Sequence, residues 1–282
     1  MDVRVQAEKA EQFRKLHHGP QMLVLSNAWD VVSARILEEC GHPAIATSSA
    51  AVAFSRGYPD GQRIPRDEML DVVARIARAV RVPVTADLEA GYGTTVQDMA
   101  ETVKAAIEAG AIGMNLEDVT GDDESSLVDT ALQVEKIRAI REKAKSLGVP
   151  FVLNARTDIC LLPVGAEATR FERTVERLRA YRDAGADCLF APGLYDRDGI
   201  AKLVKAVEAP VNILATPACP PLAELEKIGV ARVSAGSGIM RAAMGAVQRI
   251  GKEMLEARSC EAMFAGAIPY IELQRMMTRQ LP

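Results

Sequence analysis

An α/β fold, a (βα)₈ barrel of the TIM type occupying residues 1–282 as one domain, follows from three observations. Eight short apolar runs are nearly unbroken, so they read as strands buried on both faces of a parallel sheet covered by helices. A stretch of helical period separates most runs from the next, and 282 residues is a length that single-domain α/β barrels reach. Glycines close many helices just before the next run, with an Ala-Gly step at 109–110 and again at 184–185. An open doubly wound sheet is the alternative. It is disfavoured because no GxGxxG follows the first run.

Residues 2–17 have the pattern of an amphipathic helix, stopped by Gly19 and Pro20. Residues 22–26 form the first strand, and 27–30 a turn in which Asp30 N-caps a helix over 31–40, with Gly41 past its end. The second strand is 44–49, and 55–66 is a polar loop containing Gly57, Pro59, Asp60 and Gly61. A helix over 67–80 leads to a strand ending at Asp87. Helix 95–109, strand 112–116, helix 129–147 and strand 151–155 follow, with Gly110 and Gly148 as stops. Then come helix 166–184, strand 187–191, helix 196–207 and strand 211–215. A short helix over 222–228, strand 232–235 and helix 240–257 complete the eight units. The tail over 259–281 adds apolar residues at helical spacing, among them Phe264, Ile268, Tyr270 and Ile271. It is expected to pack across the barrel bottom or on a partner subunit in a homo-oligomer.

The apolar fraction of 49% suffices for a large core, and the net charge is −4 with no basic patch, so nucleic acid is not an expected partner. No apolar run approaches the ~20 residues of a membrane span, so no membrane partner is expected. The charged N-terminus has no apolar signal stretch, so the expected compartment is the cytoplasm. The five cysteines, Cys40, Cys160, Cys188, Cys219 and Cys260, lie far apart, which argues against a disulfide framework or zinc motif. Only Cys219, in a proline-rich loop, is a candidate for chemistry.

The candidate chemistry lies at three consecutive strand ends. Asp87 and Glu89 are two apart, so on an extended chain they face one point, and Gly91 and Gly93 then allow a turn. Glu117 and Asp118 end the next run, and Arg156 and Asp158 the one after. Barrel sites form at the C-terminal strand ends, so five carboxylates and one guanidinium should converge. Their mutual repulsion calls for a divalent cation, and hard oxygen donors favour Mg²⁺, with Mn²⁺ as the substitute, over zinc. The bland alternative, solvated loop acids, accounts for any one of these residues but poorly for three matched ends. His17, His18 and His42 lie away from the strand ends, and no lysine ends a strand, which argues against a histidine base and a Schiff base. A cation beside Arg156 suits a small 2-oxo carboxylate whose developing enolate is stabilised. Arg156 has a structural alternative, as a partner of Asp87 or Asp158. Gly236, Ser237 and Gly238 form a weak candidate for an anion cradle.

Three motifs in order, Asp87-Leu-Glu-Ala-Gly-Tyr-Gly93, Asn115-Leu-Glu-Asp118 and Leu153-Asn-Ala-Arg-Thr-Asp158, resemble the isocitrate lyase/phosphoenolpyruvate mutase superfamily from about residue 25 to 245. The resemblance implies a (βα)₈ barrel, Mg²⁺ held largely through acids and waters, and dimers or tetramers with a swapped C-terminal helix. It implies metal binding by Asp87, Glu89 and Glu117. It implies Arg156, Asp60 and Glu117 as catalytic residues, with Asp60 matching the mobile aspartate of phosphonate-cleaving members. Trp29, Ser48, Ser49, Ala50, Asn212 and Arg156 are the candidate substrate contacts. Two departures narrow the reaction. Residues 119–126 lack the cysteine motif of isocitrate and methylisocitrate lyases. Ala191 and Pro192 stand where the phosphonate branch has a histidine, and Asp122, Asp123 and Glu124 would repel a phosphonate. The expected function is a Mg²⁺-dependent carbon–carbon lyase on a 2-oxo or 2-hydroxy acid, such as oxaloacetate decarboxylation. A phosphonate mutase or hydrolase and a non-catalytic 2-oxo acid binder are the alternatives.

Overall fold

The computed structural model describes residues 2–119, 127–162 and 164–279. Its strands are β1 (Leu23–Leu25), β2 (Asn27–Ala28), β3 (Ile45–Thr47), β4 (Val84–Asp87), β5 (Gly113–Leu116), β6 (Val152–Arg156), β7 (Cys188–Phe190), β8 (Val211–Leu214) and β9 (Arg232–Ser234). All pair in parallel, in the order β1-β9-β8-β7-β6-β5-β4-β3-β2. The two ends of that order, β1 and β2, are separated in the chain by Ser26 alone. Together they act as one first strand that changes neighbour at Ser26, and this closes the barrel. The expected turn at 27–30 is therefore strand through Ala28, because Asn27 and Ala28 pair with Ala46 and Thr47.

Helices cover the outside: α1 (Val3–Leu16), α2 (Val31–Glu39), α3 (Ser49–Ser55), α4 (Arg66–Ala79), α5 (Val96–Glu108), α6 (Thr130–Ser146), α7 (Arg170–Asp183), α8 (Arg197–Val207), α9 (Leu222–Lys227), α10 (Gly238–Lys252), α11 (Glu261–Phe264) and α12 (Tyr270–Thr278). Helix α3 was not expected. The Ser48 side chain accepts from the Ala51 amide and so caps a short run of small helix formers ahead of the polar loop. Helix α10 starts two residues before the expected 240 and passes into a π-turn over Glu253–Ala257.

The barrel bottom is closed by α1, not by the C-terminal tail. Gln6 donates to the carbonyls of Ile107 and Ala111, Arg14 reaches Pro150 and Asp187, and Phe13 is fully buried. These partners precede β5, β6 and β7, so they mark the N-terminal ends of the strands. The tail instead lays α12 on α2 of its own chain, where Arg35 holds the carbonyls of Met276 and Arg279. Among the described residues no helix is long and apolar enough to cross a membrane.

Candidate active site

A cavity of about 770 Å³ opens at the C-terminal strand ends. Asp87 ends β4 and lies almost at its floor. Its backbone amide donates to Thr47 Oγ1 at 2.8 Å. Its Oδ2 accepts from the Ser49 amide at 2.9 Å and Ser49 Oγ at 2.8 Å, and its Oδ1 from Asn115 Nδ2 at 3.2 Å. Both carboxylate oxygens are thereby oriented by α3 and β5.

Glu89 also lines the cavity, but strand alternation does not place it there. β4 stops at Asp87, and Glu89 takes a left-handed backbone, φ +53°. That conformation is uncommon for a residue with a Cβ and marks a held turn. Gly91 follows at φ +91°, where a side chain would collide with Met99. Glu89 accepts from the Gln62 amide and from Tyr92 Oη. Burial first, then the charges of Asp87 and Asp60, push its pKa up to about 7.

Arg156, at the end of β6, donates to Glu117 at 2.5 Å and to Asp158 at 2.7 Å, with its guanidinium over the Phe190 ring. It therefore pairs with Asp158 and Glu117 rather than with Asp87, while still lining the cavity. Burial opposes its charge, but the two acids outweigh burial and hold it protonated. Burial raises the Glu117 carboxyl well above the usual range despite Arg156, with Asp158, Asp87 and Glu89 adding to the rise.

The structure separates the other candidates. Ser48, Ser49, Ala50, Asp60, Ser234, Thr216 and the Gly236–Gly238 turn line the cavity. Trp29 and Asp30 do not. They line a separate groove with Ser55, Arg56 and Arg75, because α2 begins directly after them and carries them outward. Asn212 is fully buried below the cavity, where its amide donates to Ser234 Oγ. Asp118 is not in the acid cluster. One residue beyond Glu117, it points away from the cavity and is fully buried against Arg177, Tyr181 and the Asp158 amide. Four of the five expected carboxylates thus line the cavity. Cys219 donates to the Leu214 carbonyl and does not line it. Asp122, Asp123 and Glu124 lie outside the described residues.

Several lining residues were not foreseen. Asn115 was legible as the strand neighbour of Glu117 two positions on, a period-2 signal like the one used for Asp87 and Glu89. Gln62 and Arg241 had no such signal, since they enter from a loop and from α10. Among the described residues, no histidine or cysteine lines the cavity.

The donor chemistry fits a hard divalent ion: Asp87, Glu89 and Glu117 offer only oxygen, and burial together with neighbouring acid charge pushes Glu89 and Glu117 toward protonation. Among the described residues no three side chains of the ligating types form a closed cage.

The family model for phosphoenolpyruvate phosphomutase matches residues 13–255. A crystal structure from Burkholderia cenocepacia J2315, of a protein provisionally assigned as a lyase/mutase, superposes with a TM-score of 0.91 at 41% identity, covering 98% of each chain. The 2-methylisocitrate lyase of Bacillus subtilis (strain 168) is 30% identical over 213 residues, 73% of this chain and 67% of that one. The oxaloacetate decarboxylase of Bradyrhizobium diazoefficiens is 27% identical over 219 residues, 74% of this chain and 72% of that one.

Proposed function

The chain belongs to the phosphoenolpyruvate phosphomutase family, and on that premise we propose that it is a Mg²⁺-dependent carbon–carbon lyase for a small 2-oxo carboxylate, with oxaloacetate decarboxylation as its reaction. The observation that carries this reading is a cavity with an oxygen-donor acid cluster and a charged Arg156 but, among the described residues, no histidine or cysteine. Decarboxylation needs charge stabilisation at the 2-oxo group and no enzymic acid at the departing carboxylate. The decarboxylase relative supports the same reading.

Arg156, held protonated and fixed at two edges by Glu117 and Asp158, attracts the substrate carboxylate and fixes its plane. Asp87, with Glu89 and Glu117 beside it, would hold a divalent cation, which would supply positive charge for the negative charge that develops at the 2-oxo oxygen. The C3–C4 bond breaks, its electron pair moves toward that oxygen, and carbon dioxide leaves. A solvent proton at C3 then gives pyruvate.

Proton NMR of oxaloacetate with the protein and Mg²⁺ tests this. Enzymic pyruvate should appear well above the Mg²⁺-only background and fall about 10²–10³-fold in Asp87→Ala, the scale of losing a principal electrostatic group. A folded wild-type protein that turns over no 2-oxo acid with Mg²⁺ would sink the lyase reading, and saturable binding without turnover would mark a binding protein. Asp60 at the cavity wall favours a second reading, phosphonate cleavage with Asp60 as nucleophile. Phosphate release from phosphonopyruvate, abolished by Asp60→Ala, would select it.

A further inference from the structure

Barrel interiors are usually filled by branched aliphatic side chains. Beneath this cavity the filling is polar. Asn115, Asn154 and Cys188 pair along one rung of the sheet, and Asn212 pairs with Arg232 on the neighbouring strands β8 and β9. Arg232 is 1% exposed. Its Nη2 donates to Asn115 Oδ1 at 3.4 Å, and among the described residues its Nε and Nη1 have no protein hydrogen-bond partner. Among the described residues it forms no ion pair within 4.0 Å. Burying a cation in that state is costly, far more so than burying a methionine of similar length. The cost identifies Arg232 as a group whose charge acts on something nearby.

Asn115 is the residue between. Its Oδ1 accepts from Asn154 Nδ2 at 2.8 Å as well as from Arg232, and its Nδ2 donates to Asp87 Oδ1 at 3.2 Å. The amide is thus polarised between a guanidinium and a carboxylate, oxygen toward the cation and nitrogen toward the anion. Ser49 already holds the other Asp87 oxygen. We infer that Arg232 is a positioning residue that anchors Asp87 through Asn115, holding its carboxylate in the orientation that binds the divalent cation. The inference rests on the reading of Asp87 as the metal-binding acid.

The sign of the effect separates this role from a simple field effect. Loss of a nearby positive charge alone would tighten Mg²⁺ binding, whereas loss of an anchor weakens it. The experiment is calorimetric titration of Mg²⁺ into the wild type, Arg232→Met, Arg232→Gln, Arg232→Lys, Asn115→Ala and the Arg232→Met/Asn115→Ala double variant, each checked by thermal unfolding. The neutral Arg232 variants and Asn115→Ala should bind about 10–100-fold more weakly, the usual scale for a group behind a metal ligand. Arg232→Lys should recover most of the affinity. The double variant should be no weaker than the weaker single, because both act on one path. Arg232→Gln, which removes the charge and keeps a polar chain, serves if Arg232→Met does not fold. Unchanged or tighter Mg²⁺ binding in the neutral variants, or additive losses in the double variant, would overturn the anchor alone. A wild type that takes up no Mg²⁺ would overturn both the anchor and the functional reading.

Discussion

At the residue scale, Glu89 shows how a strained backbone and a crowded charge work together. Its left-handed φ turns the carboxylate back toward Asp87, where both burial and like charge favour the protonated form. Its pKa near 7 has a consequence for cation uptake. Binding favours the ionised acid, so Mg²⁺ should expel a proton from Glu89 at pH 6 to 7, and apparent affinity should rise with pH through about 7 and then level. Titrations in two buffers of different ionisation enthalpy measure that release directly. No release at pH 6.5 would remove Glu89 from the surroundings of the metal. The sequence placed Glu89 in the site for an incomplete reason. Spacing identified the residue, but the turn that aims it depends on Gly91 packing against Met99, a contact between β4's end and α5 that no local pattern displays. Trp29 lies outside the cavity for a related reason, since its direction is set by where α2 begins.

At the element scale, the alternation of short apolar runs and helices was legible because each run is buried on both faces. The split of the first strand was not, since partner exchange at Ser26 is a property of closure rather than of composition. Asp118 illustrates the same limit. Adjacent acids at a strand end look alike in sequence, yet one faces the cavity and the other faces the helix layer, where Arg177 and Tyr181 of α7 hold it. Asp118→Ala should therefore cost about 3–5 kcal/mol of stability by leaving Arg177 without its buried partner. Denaturant unfolding reads that loss. Wild-type stability in the variant would contradict the placement. Helix α1 makes a second prediction. His17 plugs the barrel bottom with Nδ1 on the Phe13 carbonyl and Nε2 buried without a partner. Burial, with Arg232 adding, lowers its pKa to about 4 from the ordinary 6.5. The unfolded chain then binds the extra proton between those values, so the fold loses stability as pH falls from about 6.5 toward 4. The expected loss from pH 7 to pH 5 is about 2 kcal/mol. Urea midpoints at both pH values in the wild type and His17→Leu check it, because the variant should lose this part of the slope.

At the scale of the whole molecule, the apolar residues left outside the barrel cluster near its C-terminal end. Helix α10 has an apolar stripe but buries only Met240. Beyond it Leu255, Phe264, Tyr270 and Ile271 are 67–80% exposed. Scattered exposed leucines need no account, but consecutive elements that each expose large apolar side chains do. We expect a second copy of the chain to cover these side chains, so light scattering should give a mass of two or more times 30.4 kDa. Leu255→Asp with Ile271→Asp should lower that mass to one chain without changing the circular dichroism. A monomeric wild type at micromolar concentration would refute the expectation. Helix α10 also begins at the cavity, where Gly238, Arg241 and Ala242 line the wall. Releasing its far end should loosen that wall while leaving Asp87, Glu117 and Arg156 at their strand ends. The monomeric variant should therefore keep its Mg²⁺ affinity and lose kcat/KM for oxaloacetate, about 10-fold for a displaced wall contact. Equal loss of both would mean that assembly supports the acid cluster itself.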